Sequence, residues 1–193
     1  MAPSFVARIV DLALCLLILP FALPACGLLL LLVRLESRGS PLFVQLRVGR
    51  RQRPFLIFKL RTMTTGTGDH PSHHVGTEGI TKLGKVLRRL KLDELPQLLN
   101  VLVGDMSFVG PRPCLPSQSE LIAAREARGL FTLRPGITGP AQLAGIDMSE
   151  PERLAEVEAG YFSRANIWSN GVLMIRTVLG RGAGDAAMGR GAC

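Results

Sequence analysis

The sequence predicts an α+β fold, mostly helical, in which an N-terminal membrane helix precedes a small domain bearing amphipathic helices. Three observations carry this reading. A long apolar run stands near the N terminus, a strand-turn-strand pattern follows it, and the rest reads as short helices punctuated by Gly and Pro. With 193 residues, the chain has room for one domain of ordinary size plus an anchor.

From Leu12 to Val33, 22 residues carry no charge, with Arg8 and Asp11 before them and Arg34, Glu36 and Arg38 after. That length suffices to cross a bilayer as a helix. It exceeds a usual signal core, and no small-residue cleavage site leads into a polar start, so the segment is expected to stay on the protein. Pro20 and Pro24 lie inside the run, where each removes an amide donor, so a kink or reversal is expected there.

Arg47, Arg50, Arg51, Arg53, Lys59 and Arg61 form a dense basic segment soon afterwards. With Arg34 and Arg38 they place the body on the cytoplasmic side, and such a cluster can rest against anionic phospholipid. The formal charge of +8 favours an anionic partner, whether lipid headgroup, nucleotide phosphate or nucleic acid. A non-enzymatic membrane or nucleic-acid-binding protein is the rival class. One Trp, one Tyr and no reader motif argue against nucleic acid. Cys15, Cys26, Cys114 and Cys193 lack metal-binding or disulfide-framework spacing, which excludes a stapled secreted domain and points to a reducing compartment.

Leu42 to Gln45 and Phe55 to Leu60 read as extended pieces around a basic turn from Gly49 to Pro54, together a small hairpin. Thr64 to Gly79 holds four Gly, three His and one Pro without apolar periodicity, and reads as a loop. His70, His73 and His74, with Asp69, match no strong metal motif. Leu83, Val86, Leu87 and Leu90 recur at helical spacing among Lys and Arg, predicting an amphipathic basic helix. A second helix is expected from Asp93 to a stop at Gly104, with Asp93 as N-cap and Pro96 in its first turn. Ser117 with Glu120, and Ser149 with Glu152, read as capping boxes for helices reaching Arg128 and Tyr161. Ile167 to Leu179 is an apolar helix suited either to the membrane interface or to core packing. The Gly180 to Cys193 tail is small-residue rich.

Two adjacent carboxylates, Asp93 and Glu94, sit between basic runs beside the membrane segment. A carboxylate can act as a nucleophile or hold a divalent cation, so the layout suits movement of a phosphate-bearing group at a bilayer surface. Taken alone, the pair reads equally as a helix cap and a first-turn acid.

Four motifs in order carry a resemblance: Phe58-Lys59-Leu60-Arg61-Thr62-Met63, Leu92-Asp93-Glu94-Leu95-Pro96-Gln97, Asn100 to Pro113, and Arg134-Pro135-Gly136-Ile137-Thr138-Gly139. Over Ser4 to Leu179 the chain resembles the bacterial sugar transferases, the small monotopic phosphoglycosyl transferases. The resemblance implies transfer of a sugar 1-phosphate from a UDP-sugar to a polyprenyl phosphate, releasing UMP and starting a glycan for later glycosyltransferases to extend. By position, Asp93 matches the family nucleophile, Glu94 its Mg2+-holding neighbour, and Arg112 the arginine of a phosphate-facing loop. Arg88 and Lys59 are further candidates for phosphate contact, Lys59 equally for a structural ion pair. Asp105 is expected to organise a turn.

The resemblance also implies that residues 1–38 form a re-entrant membrane helix, bent near Pro20 and Pro24, with a cytoplasmic catalytic domain over 39–180 and a tail over 181–193. Both ends would then lie on the cytoplasmic face of a bacterial inner membrane, and a homodimer remains open. The chain departs from the family pattern at Leu23, where relatives carry Ser before the proline. It departs again at Gly145-Ile146-Asp147, which removes a positive side chain, and at Ser169-Asn170-Gly171, which replaces an acidic segment. These changes bear on the sugar or on activity, and a catalytically impaired scaffold is the third reading.

Overall fold

A computed structural model describes residues 5–64 and 79–179. The loop with Asp69, His70, His73 and His74 and the tail from Gly180 lie outside the described residues. In chain order the elements are α1 (Phe5–Glu36), β1 (Leu42–Val48), β2 (Pro54–Leu60), α2 (Lys82–Arg89) and α3 (Gln97–Val103). There follow β3 (Ser107–Val109), α4 (Ser119–Ala127), β4 (Gly136–Thr138), α5 (Pro140–Leu143), α6 (Pro151–Phe162) and α7 (Ile167–Val178).

α1 is a single helix containing Pro20 and Pro24. One stripe of it faces the body. Arg8 donates to the Val101 and Leu102 carbonyls at 2.6 and 3.0 Å, and Asp11 accepts from the Ser107 hydroxyl and the Phe108 amide. Cys15 and Ala22 pack with Phe55, Ile57, Leu98, Val101 and Met106. Farther along, Val33 packs with Leu60 and Leu87, and the Glu36 carboxylate accepts the Leu83 amide. These contacts recur every three or four residues, the interval that keeps side chains on one helix face. Outside this stripe Phe5, Ile9, Leu16, Leu17, Phe21 and Leu28 are exposed.

β1 and β2 form the expected antiparallel hairpin, longer than predicted on the β1 side, with Leu46 opposite Leu56 and Phe43 opposite Lys59. Asn100 of α3 is fully buried and ties itself to β2. Its Oδ1 accepts the Phe58 amide and its Nδ2 donates to the Leu56 carbonyl. A second, parallel pair joins β3 to β4. Gly110 and Gly136 permit it: a Cβ on Gly136 would stand 2.1 Å from the Gly110 nitrogen, and one on Gly110 would stand 2.3 Å from the Arg134 carbonyl.

The predicted amphipathic helix is α2, capped by the Thr81 hydroxyl on the Gly84 amide. The predicted cap at Asp93 is not formed. Residues Leu92–Glu94 make a separate 3-10 turn, and α3 starts at Gln97, after Pro96, before ending as expected at a left-handed Gly104. Lys91, at φ 56°, reverses the chain between α2 and this turn, so Asp93 lies within the turn rather than at a helix start.

Neither predicted capping box forms. α4 begins after Gln118, whose carboxamide accepts the Leu115 amide, and α6 begins after Glu150, while Ser149 bonds Asp147 instead. The reciprocal cap belongs to Asn166 and Ser169 at the start of α7. Pro151 explains the second shift, because the residue before a proline is pushed away from helical dihedrals, and Glu150, at φ -115° and ψ 67°, stays outside α6.

Candidate active site

Three segments meet at Glu94. The 3-10 turn supplies Glu94 itself, β2 supplies Lys59, and the loop Pro111-Arg112-Pro113 supplies Arg112. Lys59 Nζ lies 2.9 Å and Arg112 Nη2 3.3 Å from the same oxygen, Glu94 Oε1. Asp93 is 6% exposed beside them. Two carboxylates and two cations of unlike geometry, one a compact ammonium and one a planar guanidinium, are therefore gathered in a largely desolvated place.

The supports lie one layer out. The Arg112 loop is pinned on the β4 side, where the Gly136 amide donates to the Pro111 carbonyl at 3.0 Å, and on the β1 side, where Arg47 donates to the Pro113 carbonyl and Val48 to Cys114. Arg125 of α4 donates to the Arg112 carbonyl at 2.7 Å and grips Glu158 of α6 with two further bonds, both side chains being almost fully buried. Burial pushes the Glu158 carboxyl up, against the pull of the Arg125 guanidinium. Burial likewise raises the Cys114 thiol, leaving it a poor nucleophile.

Arg88, a candidate from the sequence, donates through Nε to the Thr62 hydroxyl at 2.8 Å. It is thereby held against the end of the segment carrying Lys59 and Arg61. Arg61 turns to the Ser37 carbonyl and hydroxyl, just past the end of α1. Asp105 follows the left-handed Gly104 and lines a separate cleft, in keeping with a turn role. Ile146 is buried in the core with Val48, Cys114, Leu121 and Leu154, and Asn170 accepts the Tyr161 hydroxyl at 2.9 Å.

Asn100, Arg125 and Glu158 were not singled out from sequence. Their signal was present: Arg125 stands four residues after Leu121 and Glu158 four after Leu154, each in the apolar stripe of its helix. Charges so placed are rarely buried unless paired.

The donor chemistry suits a hard cation. Among the described residues no group of three or more His, Cys, Asp or Glu side chains is gathered as a metal cage. Magnesium needs none, since it keeps water and takes one or two carboxylates plus substrate phosphate oxygens, and the adjacent Asp93 and Glu94 meet that requirement. As a whole, the arrangement gathers cations able to meet an anionic group beside two carboxylates.

Comparison with known proteins gives the family. The sequence profile described as bacterial sugar transferase matches residues 2–181. The chain is 36% identical over 182 residues to the UDP-glucose:undecaprenyl-phosphate glucose-1-phosphate transferase of Caulobacter vibrioides, covering 89% of this chain and 67% of that protein. It is 32% identical over 185 residues to an Aeromonas hydrophila protein named UDP-N-acetylgalactosamine-undecaprenyl-phosphate N-acetylgalactosaminephosphotransferase, covering 91% and 43%. A UDP-glucose:undecaprenyl-phosphate glucose-1-phosphate transferase of Escherichia coli is 34% identical over 182 residues, covering 89% and 39%. The chain therefore spans between about two fifths and two thirds of the length of these relatives. With the profile running through both the membrane helix and the carboxylate-cation cluster, the chain belongs to the bacterial sugar transferase family.

Proposed function

We propose that this chain transfers a sugar 1-phosphate from a UDP-sugar to a polyprenyl phosphate, releasing UMP, as the first membrane step of glycan synthesis. The observation that carries the reading is the buried Asp93 beside Glu94, whose one oxygen is shared by Lys59 and Arg112. An Asp93 carboxylate oxygen attacks the sugar-linked phosphorus, forming an acyl phosphate ester as the bond to the UMP oxygen breaks. An oxygen of polyprenyl phosphate then attacks the same phosphorus and frees Asp93.

Anionic substrates repel a carboxylate nucleophile, so cations must offset their charge before the oxygens approach. We assign this role to Lys59 and Arg112, which meet at Glu94, Arg112 with the fork that matches two phosphoryl oxygens. Glu94 holds both in register and would hold Mg2+, which when bound supplies charge neutralisation on the diphosphate. Arg88, held on the Thr62 hydroxyl, is assigned a weaker contact to the same phosphates.

The membrane reading extends the proposal. Contacts near both ends of α1, Arg8 on Val101 and Glu36 on Leu83, reach the same body, which supports a re-entrant helix with both ends on the cytoplasmic face. Val86 and Leu90 of α2, and Ile167, Trp168, Ile175 and Val178 of α7, are exposed apolar side chains suited to interfacial helices.

The test is UMP release by the full chain in lipid nanodiscs with UDP-sugar, polyprenyl phosphate and Mg2+. Wild type should release UMP and yield a sugar phosphate trapped on Asp93, and Asp93→Asn should do neither. A fully active Asp93→Asn protein would sink the mechanism.

A further inference from the structure

The basic segment of the sequence does not act as one patch. Lys59 goes to Glu94, Arg61 to Ser37 and Arg47 to Pro113. The remaining three, Arg50, Arg51 and Arg53 at the tip of the hairpin, join Arg134, which arrives from the turn before β4. Together with Gly104 and Asp105 they line a cleft of about 210 Å³. Four arginines and one acid line it, and among the described residues none of the four arginines forms a salt bridge.

The cleft is built. Arg134 is held by its Nε on the Gly104 carbonyl at 2.8 Å, and Arg50 by its Nε on the Thr132 carbonyl at 2.9 Å. Both guanidinium groups are thus fixed through backbone oxygens, which orient them without neutralising them. Burial, followed by repulsion from Arg8 and Arg50, lowers the Arg134 pKa from its ordinary value, against the pull of the Asp11 carboxylate. Arg51 and Gln52 both adopt positive φ, 55° and 56°, at a hairpin tip where glycine or asparagine is the low-strain choice. A bulky cation held in a costly conformation is the kind of outlier found at binding sites.

Position selects the ligand. Pro54 and Phe55 line the cleft, whereas Lys59 of the same strand meets Glu94, so at about 3.3 Å per residue the cleft and the carboxylate pair lie roughly 16 Å apart along β2. On the other side the cleft adjoins α1, since a Cβ on Gly104 would stand 3.4 Å from an Arg8 nitrogen. The neighbouring side chains Phe5, Ile9 and Val103 are exposed and apolar. An anion site with an apolar rim beside a membrane helix matches a phosphate that carries acyl chains.

We propose that this cleft binds the headgroup phosphate of an anionic phospholipid, at a site separate from the Asp93-Glu94 pair. The proposal rests on the membrane reading above but not on the chemistry assigned to Asp93. The headgroup docks between the hairpin tip and Arg134 while its acyl chains lie along the first turns of α1. This fixes the rotation of the body about α1 on an anionic bilayer.

The experiment titrates the full chain, purified in neutral detergent, with dihexanoyl phosphatidylglycerol, dihexanoyl phosphatidylcholine and inorganic phosphate, following bound lipid by native mass spectrometry. Phosphatidylglycerol should saturate at one molecule per chain, with phosphatidylcholine and inorganic phosphate far weaker. Arg51→Gln, whose side chain makes no hydrogen bond among the described residues, should weaken it about fivefold, and Arg50→Gln with Arg51→Gln about thirtyfold. Lys85→Gln with Arg89→Gln, on α2, should leave it unchanged. Equal affinity in wild type and the hairpin variants, or equal loss in the α2 pair, overturns the site. Inorganic phosphate binding as tightly as phosphatidylglycerol overturns the lipid assignment. UMP release in phosphatidylcholine nanodiscs, unaffected by Arg51→Gln, separates failure of this site from failure of the catalytic reading.

Discussion

Arg125 donates to the backbone carbonyl of Arg112 at 2.7 Å while its other nitrogens hold Glu158 at 2.7 and 2.8 Å. A buried ion pair between α4 and α6 therefore fixes the loop whose side chain reaches Glu94.

Removing one partner of such a pair strands a buried charge, at a cost of about 3–5 kcal/mol. Glu158→Gln should accordingly lower the melting temperature by roughly 6–20 °C in a protein of this size. Arg125→Lys keeps the charge but loses the fork; the fold should survive with reduced kcat as Arg112 drifts. Thermal unfolding in detergent and UMP release read the two effects. A normal melting temperature in Glu158→Gln would mean that the pair contributes little.

Glu94→Gln removes the oxygen charge that Lys59 and Arg112 share. The fold should remain, and turnover should fall on the order of 10²–10³, the range for loss of one preorganised electrostatic contact. Magnesium titration is the telling measurement, because the apparent affinity for the ion should fall as well. Retention of both rate and magnesium response would remove Glu94 from the site.

Asn100→Ala deletes both bonds to β2 and leaves the Phe58 amide and Leu56 carbonyl short of partners inside the protein. At about 1–3 kcal/mol for each stranded group, this should rank among the more damaging uncharged substitutions. Hydrogen exchange at Phe58 is the local readout, and protection equal to wild type there would refute the assigned role.

Phe5 and Leu35 are exposed near the two ends of α1, at 79% and 74%. In a variant lacking the four native cysteines, Phe5→Cys and Leu35→Cys should both resist a membrane-impermeant thiol reagent in intact cells and react once the inner membrane is opened. Periplasmic labelling at Phe5→Cys alone would establish a crossing helix instead.

The sequence made the hairpin, the basic helix and the acidic pair legible because each depends on local chemistry: alternation, 3.6-residue periodicity and adjacent charges. The helix start at Asp93 was misplaced for a physical reason. Pro96 suits a first turn by its dihedral, but the left-handed Lys91 turns the chain so that Leu92–Glu94 close a 3-10 turn of their own. The partners of Glu94 were only half visible, since Lys59 and Arg112 arrive from 35 and 18 residues away. Of the basic run between Arg47 and Arg61, nothing in spacing alone tells which arginines go inward to carbonyls and which gather with Arg134.

The stripe of α1 against the body has a consequence for how the protein is made. Arg8 must wait for carbonyls 93 residues later in the chain, and Asp11 for a hydroxyl 96 residues later, so the first helix emerges while its polar partners are still being synthesised. Until they follow, both charges stay wet. The wall that Cys15 and Ala22 give to Phe55, Ile57 and Met106 is likewise absent from any fragment begun after Glu36, and a foreign anchor of equal greasiness would not restore it. α1 is thus one wall of the body as well as its first segment, and its inward stripe cannot be exchanged without changing the core.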